Sequence, residues 1–97
     1  MNLKAIAHNI DRLAQQELPS YEKPTRSMEG RATHQITRRT TLNNNRDRYE
    51  VIAYSRGGQF AITDGQKYTS VNIPLGADEA TITRLIAAVR NIHTINN

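Results

Sequence analysis

The chain of 97 residues carries 13 Lys+Arg against 9 Asp+Glu, a formal net charge of +4, with no Cys, no Trp and 37% hydrophobic residues. This length predicts one domain with a small core, because a short chain buries only a modest share of its surface. Zero Cys excludes disulfides, thiolate metal sites and cysteine nucleophiles, and no run approaches the roughly 18 apolar residues that span a bilayer.

The N-terminus, Met1-Asn2-Leu3-Lys4, lacks the continuous apolar stretch of a secretory signal, so a cytoplasmic protein is expected. Residues 2–18 predict an amphipathic helix. Leu3, Ile6, Ala7, Ile10, Leu13 and Ala14 recur at helical spacing, and Asn9, Asp11, Arg12, Gln15 and Gln16 fill the other faces. Asn2 is placed to cap this helix and Pro19 to end it. Residues 19–34 contain two Pro, one Gly and almost no apolar side chains, and read as a flexible basic linker.

From Gln35 the period changes to two. Gln35–Leu42, Tyr49–Tyr54, Phe60–Thr63 and Lys67–Leu75 predict strands. The Asn43–Asp47 cluster, Arg56–Gln59 and the Asp64-Gly65 pair supply the turns. Pro74 argues against a central position for the last strand at that end. Asp78, or Thr81 after it, caps a second helix over 78–95, whose stripe is Ile82, Leu85, Ile86, Val89 and Ile92, with Thr83, Arg90 and Asn91 opposite. The expected fold is a single small α+β domain over 1–97: N-terminal helix, basic linker, four-stranded antiparallel meander over 35–75, and C-terminal helix packed on one sheet face. The opposite face is then wet or meets a partner.

The charge is unevenly placed. Residues 1–19 and 49–97 are each neutral, whereas 20–48 hold seven basic and three acidic residues, the whole surplus of four. A clustered surplus points to a contact surface for a polyanion or an acidic protein.

Arg38 and Arg39 are adjacent, so they point to opposite faces of a strand. If Ile36 and Leu42 face inward, Arg38 is partly buried, under a helix or against a carboxylate, and Arg39 points out. Charged residues on an edge strand also discourage edge-to-edge pairing, which is their plain structural explanation. The functional alternative is that both, with Arg46 and Arg48, grip phosphates or an acidic protein surface. Tyr21, Tyr49, Tyr54 and Phe60 offer stacking platforms, although β-propensity alone places aromatics on strands. Tyr49 and Tyr54 differ in parity, so at most one of them faces outward.

Arg56-Gly57-Gly58-Gln59 lacks the Gly-x-x-x-x-Gly-Lys-Ser/Thr phosphate-loop pattern and reads as a β-turn, with Arg56 adding a cation at its tip. Asp64 fits its Asp-Gly turn, and Glu50 fits solvent or an ion pair with Arg38 or Arg39. His8, His34 and His93 lack metal-ligand spacing, and His93 suits the negative end of its helix. Ser20, Ser27, Ser55 and Ser70 lack a nucleophile-elbow context. No catalytic activity, metal or cofactor is expected.

The leading expectation is a small non-enzymatic nucleic-acid-binding module. Lys23, Arg26, Arg31, Arg38, Arg39, Arg46, Arg48 and Arg56 would meet the backbone, with Tyr49 or Tyr54 stacking. Four antiparallel strands followed by a helix resemble, in architecture alone, the single-strand-binding coactivator folds that present a sheet to nucleic acid. The alternative is an inhibitor or adaptor, of the kind phages and mobile elements encode, docking on an acidic groove of a larger host complex such as a nuclease or defence complex. Self-association through a sheet edge or the second sheet face is a further expectation, because few apolar residues remain once both helices are covered.

Overall fold

The computed structural model describes residues 2–19, 32–40, 42 and 46–95, together with the backbone of 26–29. Helix α1 spans Leu3–Glu17. Strands β1 (Arg26–Glu29), β2 (Thr33–Arg39), β3 (Arg48–Tyr54), β4 (Gly57–Thr63) and β5 (Tyr68–Pro74) follow, and helix α2 spans Glu79–Ile95. The strands form one antiparallel meander in the order β1-β2-β3-β4-β5. Helix α1 packs on β2, β3 and β4, α2 packs on β4 and β5, and the helices touch each other. The fold is thus a two-layer α+β arrangement with both helices on one sheet face. No helix among the described residues is long and apolar enough to cross a membrane.

The caps form as the sequence predicts. The Asn2 side chain accepts from the Ala5 N–H at 3.1 Å, and the Asp78 side chain accepts from the Thr81 N–H at 2.8 Å. Each satisfies a donor that a helix start leaves orphaned. Leu18 is already extended at φ −131° and ψ 137°, as its position before Pro19 requires.

The four expected strands are β2 to β5, and the sheet contains a fifth. Residues 26–29, read above as linker, form β1, with Arg26 opposite Thr37 and Glu29 opposite His34. A polar segment joins a sheet edge through backbone hydrogen bonds, which no side-chain period announces. The remaining linker positions, 20–25 and 30–31, lie outside the described residues.

The turn read at Arg56–Gln59 is also shorter than expected, because β4 begins at Gly57 and leaves Ser55-Arg56 as the connection. Gly57 and Gly58 serve close packing. Gly57 has φ +138°, and a Cβ there would collide with the Ile73 carbonyl of β5. A Cβ on Gly58 would stand 2.8 Å from Ile10 Cδ1 of α1.

The core joins Ile10 and Leu13 of α1, Ile36, Tyr49, Val51, Phe60, Ile62 and Ile73 of the sheet, and Ile82, Ile86 and Val89 of α2. Each large apolar side chain so buried contributes about 1.5–3 kcal/mol. Two polar residues also occupy helical core stripes. Asp11, expected on an outer face of α1, lies one turn after Ala7 and one turn before Ala14, and is 2% exposed. On α2 the buried series is Ile82, Ile86, Val89 and His93, while Ile92, expected in the stripe, is 48% exposed. Eleven residues are close to three helical turns, so His93, not Ile92, returns to the face of Ile82.

Candidate nucleic-acid interface

Strand register determines which side chains share the face that the helices leave open. Arg39 stands opposite Arg48, Arg48 opposite Thr63, and Thr63 opposite Tyr68. The next rows run Thr37, Glu50, Ala61, Ser70 and then Gln35, Ile52, Gln59, Asn72. The row at the other end is Thr33, Tyr54, Gly57, Pro74. Apart from Ile52 and the small Ala61, the two middle rows are polar.

The β2–β3 turn adds Arg46 to the first row. Arg39, Arg46 and Arg48 line an open recess of about 430 Å³, with Asp64, Gly65 and Gln66 of the β4–β5 turn as its other wall. All three arginines are exposed. Arg39 and Arg48 enter none of the salt bridges among the described residues. Like charges directly opposite on neighbouring strands repel. With three arginines and the one carboxylate of Asp64 among its described lining residues, this corner carries a surplus of positive charge.

The one carboxylate on the recess is occupied locally. Asp64 Oδ1 accepts from the N–H groups of Gln66 and Lys67, both at 2.9 Å. The Lys67 N–H and then the Gln66 N–H hold the Asp64 carboxyl below its ordinary pKa, so it stays ionised while tied to its turn. Glu50 lies one row inward and accepts from Gln35 Nε2 at 3.3 Å, in place of the expected pairing with Arg38 or Arg39. Burial, and secondarily the Glu50 charge, push the Tyr68 phenol above its usual pKa.

Asp47 positions the corner. Its side chain is fully buried, and its Oδ1 lies 3.0 Å from Nε2 of the equally buried His93. Its carbonyl accepts from the Thr40 N–H at 3.0 Å, and the Thr40 hydroxyl donates to the Pro19 carbonyl. With Asp47 anchored inward between them, Arg46 and Arg48 are both turned to solvent.

The structure divides the residues singled out from sequence. Arg39, Arg46 and Arg48 come together. Arg56 is exposed at the β3–β4 turn, at the opposite end of the sheet and beside Tyr54, which is half-buried on the open face. Arg38 leaves the set. Its Nε and Nη2 donate to Oδ1 and Oδ2 of Asp11, each at 2.8 Å, and its side chain is 7% exposed. That hydrogen bonding, against the opposing effect of burial, raises the Arg38 pKa. Tyr49 leaves it too, being fully buried, with its hydroxyl donating to Asp11 Oδ1 at 2.7 Å. Phe60 is core, packed at 5.6 Å between ring centroids against Tyr49. Lys23, Arg31 and Tyr21 lie outside the described residues, and Arg26 is placed by its backbone opposite Thr37.

Sequence reasoning missed Tyr68, which is 51% exposed on the open face. Counting the hairpin register outward from Asp64-Gly65 would have found it, since Thr63 pairs with Tyr68. A second, apolar recess of about 110 Å³ lies between α1 and the β5–α2 connection, lined by Ile6, Ile10, Ile73, Leu75 and Ile82 among others. It carries no charged group. Among the described residues no group of three or more His, Cys, Asp or Glu is placed to hold a metal ion. Comparisons with protein-family models, curated proteins and solved structures find no match to this chain.

Proposed function

We propose that the protein is a nucleic-acid-binding module that contacts phosphates through Arg39, Arg46 and Arg48 on the open face of its sheet. The observation that carries this reading is the apposition of Arg39 and Arg48, with Arg46 beside them, around a recess whose single carboxylate is already engaged by backbone N–H groups. Guanidinium groups hold phosphate by two parallel hydrogen bonds and keep their charge at any working pH. An incoming phosphate also relieves the repulsion between the two opposed arginines. The reading is one of binding, with no chemical step assigned to the protein.

A salt titration of binding to fluorescent DNA and RNA tests it. Neutralising about three phosphates gives a slope of log K against log salt of about −2 to −3. Arg39→Gln and Arg48→Gln should each flatten that slope by about one. Absence of binding to any nucleic acid at low salt would overturn the reading. A stoichiometric protein partner that survives nuclease treatment and depends on Arg48 would instead support the adaptor alternative, in which the same corner meets an acidic protein surface.

A further inference from the structure

We infer that the ligand of the open face is a single strand, laid across the sheet with bases stacked on Tyr68 at one end and Tyr54 at the other. This inference rests on the phosphate-binding reading above and adds the ligand's form, a stacking role for Tyr68, and the pairing of Tyr54 with Arg56 at the far end.

Five strands spaced by about 4.8 Å give a sheet roughly 19 Å across between its outer strands. The major groove of duplex DNA is about 12 Å wide and admits a helix or a two-stranded ribbon. A five-stranded face is therefore too broad to enter that groove and reach base edges. A single strand needs no groove, because its bases splay onto the protein surface.

Aromatic and cationic groups lie side by side at both ends of the open face. Tyr68 shares its row with Arg48 and Arg39, with only Thr63 between Tyr68 and Arg48. At the far end, Tyr54 lies on the open face and its strand runs directly into the turn that carries Arg56. Tyr54 faces Gly57 across the strand pair, so no neighbouring side chain from β4 stands beside its ring. Each end thus offers a ring for a base and a guanidinium for the adjoining phosphate. Six residues of strand separate the two rows, roughly 20 Å of path, enough for several nucleotides.

Polar side chains lie between the two ends. Gln35, Gln59 and Asn72 present side-chain amides, which donate to and accept from base edges. Glu50 repels phosphate from the middle of the face, which favours phosphates at the two arginine-bearing ends and leaves the amide row to the bases. Stacking and phosphate contact do not read the ribose 2′-hydroxyl, so both sugars serve.

The test compares oligo(dT), oligo(rU) and a duplex of matched phosphate count, with the full chain and its Tyr54→Leu and Tyr68→Leu variants, at several salt concentrations. Because the chain lacks Trp, its fluorescence comes from four Tyr, and the share of the quenching lost in Tyr54→Leu and in Tyr68→Leu reports stacking at each ring. The expected result is that both single strands bind at least tenfold tighter than the duplex. Each tyrosine variant should then lose roughly 5- to 150-fold in single-strand affinity, with the salt slope unchanged. Thermal unfolding of the variants, with Tyr68 the more exposed of the two sites, verifies that the fold is kept. Duplex binding as tight as single-strand binding, or single-strand affinity unmoved by both tyrosine variants, overturns the inference while leaving an arginine-dependent salt slope standing. No binding of any form overturns both readings together.

Discussion

Arg38 and Arg39 are neighbours in the chain and occupy opposite worlds. Arg38 lies under α1, bound through two of its nitrogens to Asp11, in a cluster that Tyr49 and Gln15 complete. Arg39 stands in solvent, opposite another arginine. Among the described residues, the two buried carboxylates on the inner side are partnered from other elements: Asp11 joins α1 to β2 and β3, and Asp47 joins the β2–β3 turn to α2. The open face leaves Arg39 and Arg48 without an ion pair among the described residues. Residue type alone does not separate a structural arginine from one available to a ligand; the pleat does.

Substitutions that treat the two faces alike should give unlike results. The largest effect belongs to the inner face. Asp11→Ala strands a buried guanidinium and should cost about 3–5 kcal/mol in urea unfolding, whereas Asp11→Leu combined with Arg38→Met should recover most of that loss. A cost below about 1 kcal/mol for Asp11→Ala would mean that water reaches Arg38 and that the two faces differ less than described. Next comes Gly57→Ala, where a positive φ and the Ile73 carbonyl both oppose a side chain; a loss of about 1–3 kcal/mol is expected.

On the open face, Arg39→Gln and Arg48→Gln should leave stability within about 0.5 kcal/mol while weakening nucleic-acid binding. Equal losses of stability from Arg39→Gln and from a change at Arg38 would erase the contrast. The smallest effect concerns Asp78. The Thr81 hydroxyl and N–H hold its carboxyl below the ordinary range. Its folded pKa is lowered, so its stabilising effect is complete above the unfolded value near 4 and is lost as pH falls through the folded value. Thermal melting of the native chain and of Asp78→Asn should therefore differ by a constant amount at neutral pH, with the gap changing only below about pH 4.

Much of this was readable in the residues. Helical spacing located α1 and α2, and Asn2 and Asp78 announced their starts. The period of two located β2 to β5, and strand parity alone separated Arg38 from Arg39 and admitted only one of Tyr49 and Tyr54 to the open face. The omissions share a cause. β1 is made by backbone pairing at an edge, which leaves no apolar pattern. Asp11 and His93 stand on buried stripes, but their polarity reads as exposure until a partner 27 residues away for Asp11, and 46 away for His93, is brought alongside. Tyr68 required the hairpin register to be counted, because its own segment shows only that it is on a strand. The charge surplus of 20–48 was likewise overstated, since Arg38 is neutralised by a carboxylate from outside that segment.

The Asp11 cluster also bears on the order of assembly. Its carboxylate sits 27 residues before Arg38 and 38 before Tyr49. Without β2 and β3, Asp11 stands in the middle of the apolar stripe of α1 and lacks the Arg38 guanidinium and the Tyr49 hydroxyl. Both of these sheet partners lie at long sequence separation, so their contacts carry the cost of closing the intervening loop. Arg38 and Tyr49 stand opposite each other in β2 and β3, so the paired hairpin presents together both sheet groups that Asp11 of α1 needs.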